Sequence, residues 1–229
     1  IMTNGSDMKK VAVIMAHPDD EVLGCGASIA RLAGEGASVH ILIMATGLTS
    51  RGEADAKALD ALKDETKAAA NMLGAASVEF ADFPDNAMDM RALLDVVKTV
   101  EIFISKTDPD MIFTHHSGDI NIDHDITQRA VLTAARMLPD TKPIEILACE
   151  VLSSTEFGPA DKRLKPHCYI RVSDDNLQAA LNALGCYKDE IRRWPHPRSK
   201  EALTHQLRLR GAECGWGAAE VFEILRIVK

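Results

Sequence analysis

Val11-Ala12-Val13-Ile14-Met15-Ala16-His17-Pro18-Asp19-Asp20-Glu21 is the stretch that decides the fold. Its opening run is apolar, rich in β-branched residues and bounded by Pro18, the pattern of a buried strand, while Glu21-Val22-Leu23 through Leu32-Ala33 carries helical spacing. A strand-to-helix turn is therefore expected at His17. Pro18 fixes the backbone at the helix start, and Asp19 and Asp20 fall in a first turn whose free N–H groups favour negative charge. Across such a turn His17 and Asp20, three residues apart, can aim their side chains at one point. An imidazole nitrogen and a carboxylate oxygen converging there are two of the three protein ligands of a catalytic zinc, which keeps its fourth position open. Asp19, between them, is left free to act as a base. The plainer alternative is helix capping, since acidic residues at a helix start are ordinary charge–dipole chemistry. The metal reading needs a third ligand from elsewhere.

The candidate lies in Thr114-His115-His116-Ser117-Gly118-Asp119-Ile120-Asn121-Ile122-Asp123-His124. This segment also follows an apolar run, Met111-Ile112-Phe113, and also leads into a helical pattern, from Ile126 toward Leu138. Counting along the chain, the two His/Asp clusters follow the first and fourth strands. In a 3-2-1-4-5 sheet those strands are neighbours at the reversal of strand order, where open α/β sheets bind their ligands.

Strand and helix alternate through most of the chain, the signature of a parallel sheet with helices on both faces. Ser38 to Met44 reads as a second strand, with His40 a strand residue rather than a ligand. Glu53 to Leu73 is an amphipathic helix closed by Gly74, and Val78-Glu79-Phe80 a short third strand. Pro84-Asp85-Asn86 forms a loop on the same rim as the metal motif, before a helix from Met90 to Ile104. Ile144 to Cys149 is the fifth strand, Tyr169 to Val172 a further short one, and Asn176 to Leu184 a helix. Trp194-Pro195-His196-Pro197 breaks structure ahead of a helix from about Lys200 to Arg210-Gly211, so the chain is expected to end in a small helical extension. The fold class is thus α/β, with a Rossmann-like, mostly parallel sheet. Residues before Lys9 are polar and turn-rich and are expected to stand outside it, Ile1 being read as an addition to the natural start.

Composition narrows the function classes. A chain of 229 residues with 46% hydrophobic residues can bury one sizeable core without a second domain. The absence of an apolar stretch long enough to span a membrane, and of a secretory pattern, predicts a cytoplasmic protein. A net charge of -8 without a basic stripe argues against a nucleic-acid partner. Cys25, Cys149, Cys168, Cys186 and Cys214 are scattered and odd in number, so they are expected to be reduced thiols rather than a disulfide framework or a zinc knuckle.

Ala-His-Pro-Asp-Asp-Glu after the first strand, with Asp-x-Asn-x-Asp-His after the fourth, resembles the LmbE/PIG-L-like zinc-dependent N-acetylglucosaminyl deacetylases. The resemblance extends to Gly47-Leu48-Thr49-Ser50-Arg51 after the second strand, to Glu150 through Glu156 after the fifth, and to Arg210-Gly211 with Ala219-Glu220-Val221-Phe222 near the end. It implies one deacetylase domain over residues 9–229 that removes an N-acetyl group from an amino sugar or sugar conjugate. By the resemblance, Zn²⁺ is held by His17, Asp20 and His124, Asp19 is the general base, Arg51 on the rim binds substrate, and Asp123 orients a neighbouring imidazole or amide. Iron or another divalent ion suits the same donor set.

The sequence departs from the family at one position. Several members carry a His three residues before the last zinc ligand, where it stabilises the tetrahedral intermediate and protonates the amine; here the residue is Asn121. Asn can donate a hydrogen bond to an oxyanion but delivers no titratable proton. Asp19 returning its proton, or His115, His116 or His167, remain as sources, while His196 and His205 are expected on the surface. Two rivals stay open. One is a metal-dependent hydrolase of another amide, ester or phosphoester bond. The other is a non-catalytic nucleotide-binding module, suggested by Gly24-Cys25-Gly26 but weakened by the lack of Gly-x-Gly-x-x-Gly. A homo-oligomer is also left open.

Overall fold

The computed structural model describes residues 8–45, 47 and 56–228. Arg51 and most of the loop around it lie outside the described residues.

Seven strands form one sheet in the order β3-β2-β1-β4-β5-β7-β6. They are β1 (Lys10–Met15), β2 (Ser38–Ala45), β3 (Ser77–Phe83), β4 (Met111–His115), β5 (Glu145–Cys149), β6 (Cys168–Arg171) and β7 (Ala219–Arg226). The first five run parallel, with Val11 opposite both Val39 and Met111. The sheet separates two cores, and β1 alone shows why: Val11, Val13 and Met15 face one, Ala12 and Ile14 the other, all fully buried. A strand covered on both faces must be apolar at every position. Helices α1 (Asp20–Gly34), α2 (Ala56–Leu73), α5 (Asp174–Leu184) and α6 (Lys200–Glu213) contribute to the first core; α3 (Leu93–Thr107) and α4 (Ile122–Ala134) cover the other face. Of the C-terminal ends of the strands, those of β1 and β4 lie side by side, as the sequence predicts, so the turns after them share one crevice.

The C-terminal region corrects the sequence reading. A helix does run over Lys200–Glu213, but the described chain closes with a strand, β7, which inserts antiparallel between β5 and β6. Val221 and Phe222 are buried in the sheet interior, and Glu220 supplies the reason that this strand tolerates a carboxylate. Helix α1 is kinked at Cys25 (φ -153°). The kink leaves the Ala27 and Ser28 N–H groups to the Glu220 carboxylate at 2.9 and 2.7 Å, so buried donors and acceptor are paired. Gly24-Cys25-Gly26 is thus a helix interior and not a phosphate-binding turn. Gly24 has a packing role: a Cβ there would lie 2.6 Å from Cys149 Sγ on β5.

Candidate metal centre

His17 leaves the end of β1, Asp20 opens α1, and His124 sits in the first turn of α4. The turn between the first two is forced tight by Asp19, whose backbone is left-handed at φ 92°. Glu21 Oε2 accepts the Asp19 N–H at 3.1 Å, and Asp20 Oδ2 accepts the His17 N–H at 2.8 Å. These bonds fold the carboxylate of Asp20 back against the imidazole. Across the crevice, Asn121 caps α4 by accepting the Asp123 N–H at 2.9 Å, which aims His124 at the same point.

The three side chains meet. Asp20 Oδ2 lies 3.3 Å from His17 Nδ1 and 3.2 Å from His124 Nε2. All three residues are buried, and one ligand atom from each falls within 4.8 Å of the others. The remaining ring nitrogen of each imidazole faces a carboxylate: His17 Nε2 lies 3.0 Å from Asp123 Oδ2 and 3.3 Å from Asp85 Oδ1, and His124 Nδ1 lies 3.0 Å from Asp119 Oδ2. Donating outward leaves each ring a lone pair directed inward, the tautomer a metal ligand requires. The outer carboxylates are themselves anchored. Asp123 accepts the Asn86 and Met88 N–H groups at 2.7 and 3.0 Å, and Asp119 accepts the hydroxyls of Ser154 and Thr155.

Electrostatically the pocket demands positive charge. Burial opposes the charged form of His17, yet its bonds to Asp123 and Asp20 carry the ring up to about 10; His124, beside Asp20 and Asp119, is likewise lifted against burial to about 9. Burial alone would raise Asp20, but the His124 and His17 rings hold it well below the usual carboxylate range. Asp20 Oδ1 is buried without a hydrogen-bond donor among the described residues. A divalent ion would take the place of the inner protons of the two rings, and two imidazoles and a carboxylate with a spare oxygen are a donor set that fits zinc or a similar ion.

A cleft of about 130 Å³ opens beside this point, lined among others by His17, Asp19, Asn86, Asn121, Glu190 and Arg198. Asp19 borders it; burial pushes its carboxyl up to about 7, against the pull of Arg198. Asn121 also lines it, with its Nδ2 donating to Asn86 Oδ1 at 2.9 Å. The three histidines considered as proton donors are elsewhere. His115 is fully buried, stacked on His124 at 3.8 Å, and its Nε2 accepts the Ala16 N–H. His116 bridges the Lys162 carbonyl and the Glu223 carboxylate. His167 is exposed just ahead of β6.

Sequence reasoning missed Arg198 and Glu190. Both come from the turn-rich segment between α5 and α6, far from any motif, and a charged residue in a loop carries no local signal of its role. Asp85 and Asn86 were placed on the rim by their loop, but their link to Asp123 is visible only in three dimensions.

A doubly wound α/β sheet with a His/Asp/His convergence at its switch point is a fold whose site could hold a metal ion. The chain belongs to the PIG-L: GlcNAc-PI de-N-acetylase family, whose profile matches residues 12–135. An uncharacterized deacetylase, YaiS of Escherichia coli (strain K12), is 28% identical over 193 residues, covering 82% of this chain and 95% of the relative. The 4-oxalmesaconate hydratase of Pseudomonas putida KT2440 is 34% identical over 192 residues, covering 77% and 73%. In three dimensions, a 4-carboxy-2-hydroxymuconate hydratase of the same organism superposes with a TM-score of 0.77 at 24% identity, over 97% of this chain and 99% of that one. The N,N'-diacetylchitobiose deacetylase of Pyrococcus horikoshii superposes at 0.73 and 20%, over 96% and 84%. The relatives are thus named as deacetylases and as hydratases.

Proposed function

We propose that this chain is a metal-dependent N-deacetylase acting on an N-acetylated amino sugar or sugar conjugate, with Zn²⁺ or another divalent ion held by His17, Asp20 and His124. The observation that carries the reading is the approach of His17 Nδ1 and His124 Nε2 to one oxygen of Asp20, with Asp19 beside them on an open cleft. An ion held there would supply a water of pKa about 7 and would polarise the acetyl carbonyl. Asp19, bordering the cleft, would take a proton from the attacking water. Asn121, through the Nδ2–H not given to Asn86, donates to the carbonyl oxygen as charge develops on it. With no titratable imidazole lining the cleft beyond the ligand set among the described residues, Asp19 returns its proton to the departing nitrogen. Asp123 and Asp119 hold the two rings in register. Arg51 is assigned to substrate binding, so its removal should raise KM rather than lower kcat.

A second reading is favoured by the identity to the 4-oxalmesaconate hydratase and by Asn121. Addition of water to a conjugated carboxylate uses the same activated water and base but has no amine to protonate. Parallel assays of the metal-loaded protein decide: acetate released from N-acetylglucosamine and diacetylchitobiose supports deacetylation, and hydration of 4-oxalmesaconate without acetate release replaces it. Activity that persists after a chelator has removed the metal refutes both.

A further inference from the structure

We infer that Arg198 is a positioning residue for Asp19, holding its carboxylate where proton transfer needs it; the inference rests on the reading of Asp19 as the base. The backbone of Asp19 is secured from below, through Glu21 and the hydroxyl of the fully buried Tyr187 that binds Glu21. Its carboxylate is not secured in that way. Both oxygens are buried, and neither receives a hydrogen bond among the described residues. Arg198 Nη1 lies 3.3 Å from Asp19 Oδ2, near enough for an ion pair though not aligned for a hydrogen bond. Asp20 and Glu190 bring like charge close by. A buried carboxylate that accepts no hydrogen bond takes its orientation from the cation beside it, since attraction at this distance is poorly screened.

Arg198 is equipped to hold still. Its Nη1 donates to Glu190 Oε2 at 2.7 Å and its Nε to Ser153 Oγ at 3.0 Å. Its backbone N–H donates to His196 Nδ1 at 3.0 Å, and its carbonyl accepts the Arg192 N–H at 3.1 Å. Ser199, next in the chain and fully buried, caps α6 through the Ala202 N–H. The guanidinium is thus a fixed charge anchored to two segments at once, the loop after β5 through Ser153 and the segment after α5 through Glu190. A lysine ammonium has no planar fork to reach Glu190 and Ser153 together while facing Asp19. Arg198 and Glu190 lie beyond the residues 12–135 that the family profile matches.

The test compares zinc-loaded Arg198→Gln, Arg198→Lys, Asp19→Asn and the Asp19→Asn/Arg198→Gln double variant in acetate release from N-acetylglucosamine, with a crystal structure of Arg198→Gln. Misplacing a reacting group by about 1 Å costs on the order of 10²-fold. Arg198→Gln is expected to keep its zinc and its KM, to lose about that factor in kcat, and to show the Asp19 carboxylate turned from its place, with Arg198→Lys intermediate. In the Asp19→Asn background the same change should cost less than about twofold, since a residue acting through Asp19 has nothing left to position. Full additivity of the two substitutions overturns the inference, as does an unmoved Asp19 in the crystal structure, which needs no substrate to observe. If Asp19→Asn keeps its kcat, the reading of Asp19 as base falls and this inference falls with it. If Asp19→Asn loses kcat and Arg198→Gln does not, the positioning role alone is refuted.

Discussion

Asp119 Oδ2 lies 3.0 Å from Nδ1 of His124, and the same carboxylate collects the hydroxyls of Ser154 and Thr155 from the loop after β5. Burial would raise Asp119, but the His124 ring, with the Asn121 N–H and the Ser154 hydroxyl, holds it down to about 2. The relationship ties a candidate ligand on α4 to the loop that follows β5, the next strand along the chain. Asp119→Asn should leave all three candidate ligands present yet weaken metal affinity by about 10- to 100-fold, because the ring loses the partner that sets its tautomer and orientation. Competition with a fluorescent chelator measures the loss; an unchanged affinity would show that the contact is structural only.

Removing a ligand should be more severe. Asp20→Ala or His124→Ala leaves two protein donors, and both variants are expected to purify with far less than one zinc per chain and without activity. Elemental analysis checks it, and full zinc content in both would remove these residues from the ligand set.

Asp19→Asn should separate metal binding from chemistry. The amide keeps the size of the carboxylate but not its basicity, and general-base catalysis is worth about 10²- to 10⁴-fold. Zinc should stay bound and KM stay near the parent's while kcat falls by at least about 10²-fold. A variant that keeps kcat with zinc in place would remove Asp19 from the proton transfer.

The contact of α1 with β5 predicts a pair of stability effects. Gly24→Ala places a methyl group 2.6 Å from Cys149 Sγ and should destabilise the fold by about 1–3 kcal/mol, the usual cost of overpacking. Adding Cys149→Ala should recover part of the loss. Urea denaturation of the single and double variants measures the coupling, and strict additivity would mean that the clash is relieved by movement elsewhere.

Glu220 predicts a pH dependence. Burial, opposed by its bonds from Ser28 and Ala27, raises this carboxyl from 4.5 to about 7. The folded protein therefore keeps a proton that the unfolded chain releases between those values, so this group's contribution to stability is full below about 4.5, falls as pH rises through the window, and is flat above about 7. Glu220→Gln abolishes that change, at the cost of one of the two backbone hydrogen bonds. Between pH 5 and 8 the parent should lose on the order of 2 kcal/mol more than the variant. Parallel slopes in chemical denaturation would refute the assignment.

The five parallel strands and the helices between them are legible because each is a run of apolar residues with one period, closed by glycine or proline. The meeting of His17, Asp20 and His124 is legible because two similar turns follow neighbouring strands. What escapes is of a different kind. Ala219–Arg226 alternates too little to announce a strand, with Glu220 in its interior, and the donors to that carboxylate are backbone N–H groups freed by a kink more than 190 residues earlier in sequence. Arg198 and Glu190 are ordinary charged loop residues until the chain folds back on itself. Long-range pairing leaves no periodic trace, so residues whose role depends on it cannot be found by spacing.

The interleaving of β7 between β5 and β6 also sets an order of events. Residues Cys168–Arg171 hydrogen-bond as a strand to β7, their one neighbour in the sheet, and cannot touch β5 while that slot is empty. During synthesis the parallel part of the sheet can close as it emerges, but β6 must wait, and β5 must keep a bare edge, until Ala219–Arg226 leaves the ribosome. An open edge of that kind is where nascent chains pair with the wrong neighbour. Of the described strands the one made last is thus the one that joins β6 to β5, and a chain stopped just short of it would lose two strands rather than one.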